Sequence, residues 1–239
     1  MDGSIDAMRE APFQALLIAG ATGVLGNEVL RRLVGLGRFP ATQVLAREPI
    51  RAGLRGVGAV VVPCDEPDRW PPGAADTAVV LFDPPRLFYE RERALWTPAP
   101  EQLPALAAWL HRSGVRTLAV VLPHAQGRLP DALKRGLASL DEHAVAAMGF
   151  ERLLIVRSAQ IPAAPAPVNV FTAIAHWMLS IFKYMVPSSE QPVRSAKVAE
   201  FVAAALRLAP PGIHVAAPEV VWRAAQGEVE PAVRRWLGG

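Results

Sequence analysis

Three glycines, Gly20, Gly23 and Gly26, stand in the run G-A-T-G-V-L-G, just after the apolar segment Ala15-Leu16-Leu17-Ile18-Ala19. A helical pattern follows at once. A strand that breaks into glycines and feeds a helix has the form of a phosphate-binding corner. The first glycine allows the tight turn, the second lets backbone approach a pyrophosphate, and the third lets the helix pack close on the strand. Free N–H groups at the helix start, with the positive end of its dipole, favour an anion. The spacing is G-x-x-G-x-x-G rather than G-x-G-x-x-G. Gly20, Thr22, Gly23, Val24, Leu25 and Gly26 are the candidate contacts. The alternative is a plain strand-to-helix turn whose glycines serve packing.

A dinucleotide at such a corner has its ribose read at the end of the second strand, roughly 20 residues further on. The residue there is Arg47. A carboxylate would bond a free 2′-hydroxyl, whereas a guanidinium suits a 2′-phosphate by charge and fork geometry. Arg47, with Arg51 and Arg55 nearby, therefore points to NADP(H) before NAD(H), against the neighbouring Glu48. The alternative is a set of solvated loop arginines. Asp65 falls where a loop acceptor would meet an adenine amino group, or is a turn aspartate. Phe82, ending the fourth strand, is a further candidate contact at the carboxyl edge. Cys64 reads as a small hydrophobe rather than a nucleophile.

Other chemistries lack their residues. No two histidines have metal-ligand spacing, and neither H-E-x-x-H nor G-x-S-x-G is present. A single cysteine excludes an intrachain disulfide and a cysteine-based metal cluster. The net charge is +3, spread without a Lys/Arg block, which argues against a nucleic-acid partner. The first residues, Met1-Asp2-Gly3-Ser4-Ile5-Asp6, are acidic and carry no apolar signal core, so a cytoplasmic location is expected.

The elements that must position the corner are legible as an alternation. Strands are expected at 13–19, 43–46, 58–62, 77–82, 116–122 and 152–156. Helices are expected at 24–36, 99–113 and 130–148. The first helix carries the stripe Val24, Leu25, Val29, Leu30, Leu33 and Leu36, and the last carries Leu133, Leu137, Leu140, Ala144 and Ala147. Apolar strands alternating with amphipathic helices predict an α/β fold, a Rossmann-type doubly wound parallel sheet. At 239 residues and 51% hydrophobic content, the chain suits one domain with a buried sheet. Its core is expected over about 12–158, with a small C-terminal helical lid over about 159–239.

The tail begins with a Pro/Ala-rich stretch at 161–168 and continues into an apolar helix candidate at 169–186. Asn169, Thr172, His176, Ser180 and Lys183 share one stripe of that helix. Its length and its charged groups disfavour a membrane span. It is a candidate cover for a pocket or a subunit interface. A helix at 195–208 and a short strand at 212–216 follow.

Several of these segments, in order, resemble the atypical short-chain dehydrogenase/reductase superfamily, closest to its NAD(P)H-binding NmrA-like and Tat-interacting-protein-like branch. The matching segments are G-A-T-G-V-L-G, Leu45-Ala46-Arg47, Cys64-Asp65, Met148-Gly149-Phe150 through Ile155-Val156-Arg157-Ser158, and Arg194-Ser195-Ala196-Lys197-Val198-Ala199. The resemblance spans nearly the whole chain. It implies dinucleotide binding and an oxidoreductase ancestry. It also implies a serine near the end of the fifth strand and Tyr-x-x-x-Lys on the following helix, which hold and move the proton. Here the strand ends in Leu122-Pro123-His124-Ala125. The tyrosine position falls on Lys134 and the lysine position on Ala138. The substitute catalytic candidates are His124, Lys134 and Tyr89, each with a plain loop or surface role as the alternative. Two functions remain open: an NADPH-linked oxidoreductase with an unusual site, and a non-catalytic NADP(H)-binding sensor or scaffold. A homodimer through the fourth or fifth helix of the superfamily, or through 169–186, is compatible with either.

Overall fold

The computed structural model describes residues 15–50, 56–86, 89–124, 139–159 and 193–238. Among them, seven strands form one parallel sheet: β1 (Ala15–Ala19), β2 (Ala41–Ala46), β3 (Val57–Val61), β4 (Thr77–Leu81), β5 (Thr117–His124), β6 (Arg152–Ala159) and β7 (Gly212–Ala216). Their order is β3-β2-β1-β4-β5-β6-β7. Ile18 lies beside Val44 of β2 on one side and Val79 of β4 on the other. Between β1 and β4 the strand order reverses, and in open α/β sheets a crevice forms at the carboxyl ends at that point. The Rossmann-type doubly wound sheet expected from the alternation is the fold of this chain.

The helices are α1 (Gly23–Gly35), α2 (Glu90–Ala94), α3 (Leu103–Arg112), α4 (Leu140–Ala146), α5 (Ser195–Leu208), α6 (Pro218–Ala225) and α7 (Val229–Leu237). Side chains alternate across a strand, so β1 feeds two cores. Leu16 and Ile18 join Leu25, Val29 and Leu33 of α1 and Val198, Phe201 and Val202 of α5. Leu17 and Ala19 join Trp70, Trp96 and Leu106, Trp109 and Leu110 of α3 on the opposite face. Every residue of β1 is buried, as a strand covered on both faces requires. Burial of each large apolar side chain in these layers is worth about 1.5–3 kcal/mol. The C-terminal helical region is present as α5, α6 and α7, and it also supplies β7 to the sheet. Among the described residues, no helix is long and apolar enough to cross a membrane.

Two apolar stripes differ from expectation. In α1, Val24 is 56% exposed and Leu36 lies past the helix end, while Asn27 is buried in their stead. In α4, Leu140 is exposed, and Glu142 and Val145 are the buried residues. The helical period is right there and its phase is turned. Glu142 faces inward because its Oε2 accepts from the buried Arg157 Nη2 on β6 at 2.5 Å. Ser139 starts α4 by accepting the Glu142 amide at 3.2 Å. The short helix α2 was not anticipated. Phe13, Arg51, Arg55, Lys134, residues 130–138 and the helix candidate at 169–186 lie outside the described residues.

Candidate functional site

The glycine turn is built as its sequence demands. Gly20 has φ +76°, and a Cβ on it would meet the Leu81 carbonyl oxygen at 2.0 Å, so only glycine fits. A Cβ on Gly26 would meet the Gly20 carbonyl oxygen at 2.5 Å, the close helix–strand approach expected of the third glycine. Gly23 has φ +66°, and the space beside it is filled: a Cβ there would lie 2.7 Å from Asp83 Cβ and 3.0 Å from the Pro84 carbonyl oxygen.

The first amides of an α-helix have no partner within the helix. Thr22, the residue capping α1, does not cap it with its side chain, and the first turn contains no acidic residue. The Thr22 hydroxyl instead donates to the Asp83 carbonyl at 2.5 Å and contacts the Thr97 hydroxyl at 2.9 Å. The helix amides are capped from elsewhere in the chain. Gly23 N–H donates to Glu92 Oε2 at 3.0 Å, and Leu25 N–H donates to Asp83 Oδ2 at 3.0 Å. Two carboxylates thus stand at the positive end of α1, where its dipole stabilises negative charge.

Glu92 is fully buried, on α2. Besides the Gly23 amide, it accepts from the Arg86 amide at 2.8 Å, from Asn27 Nδ2 at 2.8 Å, and from the Arg86 guanidinium through Nε (2.8 Å) and Nη2. Asn27 in turn donates to the Gly23 carbonyl and accepts from Arg91. Burial pushes the Glu92 carboxyl up. The hydrogen bonds from the Arg86 side chain and from the Arg86 and Gly23 amides outweigh it and hold the group below the ordinary 4.5. Tyr89, half-exposed, has its ring 3.9 Å beneath the Arg86 guanidinium, a cation–π contact.

Beyond α2 the chain runs across the ends of β1 and β2. Leu95 pairs antiparallel with Ala46, the Arg47 amide donates to the Ala94 carbonyl at 2.7 Å, and the Trp96 amide donates to the Leu45 carbonyl at 2.9 Å. The Gly20 amide donates to the Trp96 carbonyl at 3.2 Å. The Trp96 indole is buried edge-on against Trp70 and donates to Asp65 Oδ1 at 2.8 Å. Asp65 also takes Arg47 Nη1, at 2.7 Å from Oδ1 and 2.8 Å from Oδ2. The Arg47 bond, against burial and with help from the Trp96 indole, holds Asp65 below the ordinary 3.8.

The residues expected at a dinucleotide site are therefore gathered at one corner: Gly20, Thr22, Gly23, Leu25, Gly26, Arg47 and Asp65, with Phe82 half-buried at the end of β4. Val24 is exposed at the turn. The Gly20, Gly23, Leu25 and Gly26 amides, the Thr22 hydroxyl and Arg47 Nη1 all bond within the chain in this arrangement. His124 ends β5, in register with Ala159; Lys134 lies outside the described residues. A cavity lined by Arg38, Asp76, Arg116, Glu151 and Arg152 lies at the opposite, amino-terminal edge of the sheet and does not touch the turn. Sequence reading missed Glu92 and Trp96. The only local signal was the charged run Glu90-Arg91-Glu92-Arg93, which forms most of α2.

No protein-family model matches the chain, and no curated protein matches its sequence. Solved structures do. A uronate dehydrogenase mutant from Agrobacterium tumefaciens, complexed with NAD, is 16% identical with a TM-score of 0.47, over 85% of this chain and 76% of that one. Triphenylmethane reductase from Citrobacter sp., complexed with NADP(H), is 15% identical with a TM-score of 0.47, over 80% and 65%. A nucleoside-diphosphate-sugar epimerase from Staphylococcus aureus is 12% identical with a TM-score of 0.47, over 81% and 66%. The chain spans about two thirds of the reductase and of the epimerase. From its own strand order, this chain has the Rossmann fold that the resemblance to the short-chain dehydrogenase/reductase superfamily implied.

Proposed function

We propose that this protein is a non-catalytic Rossmann-type scaffold rather than a hydride-transfer enzyme. One observation carries the reading: the Gly23 and Leu25 amides, which a dinucleotide pyrophosphate would need, already donate to Glu92 and Asp83. A dehydrogenase needs those donors free for its cofactor and a proton-transferring group beside the nicotinamide. The superfamily's Tyr-x-x-x-Lys is absent from the sequence, and the Tyr89 ring lies against the Arg86 guanidinium. Any nucleotide that does enter is NADP(H) before NAD(H), because Arg47 ends β2 and would exchange Asp65 for a 2′-phosphate.

The test is an assay of the full chain with NADPH and with NADH against aldehydes, ketones, quinones and nucleotide sugars. No turnover above buffer is expected. Sustained NADPH oxidation coupled to reduction of any of these compounds would overturn the reading, and loss of that turnover in His124→Ala would then identify the acid.

A further inference from the structure

The amino-terminal edge of the sheet carries charge that the glycine turn does not use. A cavity of about 170 Å³ opens there. Arginines line it from separate connections: Arg38 ahead of β2, Arg116 ahead of β5 and Arg152 at the start of β6. Two carboxylates, Asp76 and Glu151, line it as well, so the cations are in excess.

Backbone hydrogen bonds fix where these charges stand. The Asp76 amide donates to the Ala15 carbonyl at 3.2 Å, the Arg116 amide to the Asp76 carbonyl at 2.9 Å, and the Arg152 amide to the Arg116 carbonyl at 3.1 Å. Asp76, Arg116 and Arg152 therefore form one row across the starts of β4, β5 and β6, at the strand spacing of about 4.8 Å. Arg152 is oriented further: Nη1 donates to Thr117 Oγ1 at 3.3 Å and Nε to the Pro210 carbonyl at 3.4 Å. The Arg38 and Arg116 guanidiniums make no hydrogen bond or ion pair among the described residues. An exposed arginine without a partner is ordinary by itself. Asp76 is not: its Oδ1 is buried and has no hydrogen-bond partner among the described residues. Buried carboxylate oxygens are nearly always bonded, because a bare one keeps the full cost of leaving water. The cavity thus joins unpartnered cations to a carboxylate that lacks a donor.

We propose that this cavity binds a small phosphate monoester that also carries a hydroxyl, with Arg38, Arg116 and Arg152 holding the phosphate and Asp76, turned slightly toward the cavity, accepting from the hydroxyl. Phosphate rather than carboxylate follows from the number of donors. Guanidinium forks from these connections outnumber the two oxygens of a carboxylate, whereas a phosphate monoester offers a further oxygen and up to about two negative charges at pH 7. The volume sets the size: it lies below the range of about 300–1,000 Å³ usual for drug-sized ligands, and a dinucleotide is too large for it. The site shares no residue with the glycine turn, so it stands apart from the scaffold reading.

The test is calorimetric titration of the full chain, at fixed ionic strength, with glycerol 3-phosphate, inorganic phosphate, glycerate and glycerol. Glycerol 3-phosphate should bind most tightly, inorganic phosphate and glycerate more weakly, and glycerol not at all. Arg38 and Arg116 are exposed, so Arg38→Ala and Arg116→Ala should keep the wild-type melting temperature. Each should weaken glycerol 3-phosphate binding about tenfold, the loss of one charge-assisted hydrogen bond. Arg235→Ala, on α7 and outside the cavity, should leave binding unchanged. Asp76→Ala should bind inorganic phosphate at least as tightly as wild type and lose the preference for glycerol 3-phosphate. No binding of glycerol 3-phosphate to wild type at millimolar concentration would overturn the site. Equal weakening by Arg235→Ala and Arg116→Ala would overturn it too, since net charge alone would then account for the binding. Glycerate binding as tightly as glycerol 3-phosphate would overturn the choice of phosphate, and a preference retained in Asp76→Ala would overturn the role given to Asp76.

Discussion

Two buried glutamates, Glu92 and Glu142, each meet an arginine, and the two pairs do different work. Glu142 and Arg157 are both buried and join α4 to β6, away from the glycine turn. Glu92 is equally buried, but its arginine is partly exposed, and its other donors are the Gly23 amide, the Arg86 amide and Asn27. The first pair sets the phase of a helix. The second neutralises a helix end. A charge buried against another element's side chain is a commitment of the fold, whereas a charge buried against backbone N–H groups stands where any anion would be welcome. That difference separates the capped start of α1 from the α4 contact.

The sharpest way to break the comparison is to remove each arginine or carboxylate in turn. Arg157→Leu strips the buried Glu142 of its 2.5 Å partner and should cost about 3–5 kcal/mol of unfolding free energy, read from the urea midpoint. A loss under about 1 kcal/mol would mean that α4 is not held by this pair. Glu92→Gln keeps the side-chain shape and an acceptor for Gly23 but leaves Arg86 without its counter-charge. It should cost less, about 1.5–3 kcal/mol, by the same measurement. Equal losses in the two variants would erase the distinction drawn between the pairs.

Acid sharpens it further. Glu92 is held below its ordinary 4.5, so the folded state binds its proton less readily than the unfolded chain. Its contribution is fully present above pH 4.5 and is lost as pH falls through the lowered value. Stability should therefore decline on acidification below that point, and Glu92→Gln should show a shallower decline. Parallel acid profiles for wild type and variant would show that Glu92 is not among the groups responsible. The smallest effect belongs to the half-exposed Arg47–Asp65 pair. Arg47→Ala should change stability by about 0.2–1 kcal/mol, since an exposed pair gains little over water. A larger loss would give that pair a structural weight close to Glu92's.

Much of the fold was legible in the residues. The helix over 195–208 and the strand over 212–216 stand where their patterns put them. The glycine turn was legible too, because Gly20 and Gly26 answer to atoms a few residues or one strand away. The phase of α4 was not, because an apolar stripe of Leu140, Ala144 and Ala147 lost to one ion pair with β6. Helix period is a local property; which face turns inward depends on what the neighbouring element offers.

The sequence alone determined that this chain has a Rossmann sheet with a tight glycine turn between β1 and α1, since alternation and glycine spacing are both local patterns. Only the tertiary structure decided what that turn receives. Glu92 and Asp83 lie 69 and 58 residues from the amides they cap. No spacing in the chain foretells a bond across that separation. It forms because α1 carries no acid in its own first turn, and its unsatisfied N–H groups take the carboxylates that the loop after β4 folds back to supply.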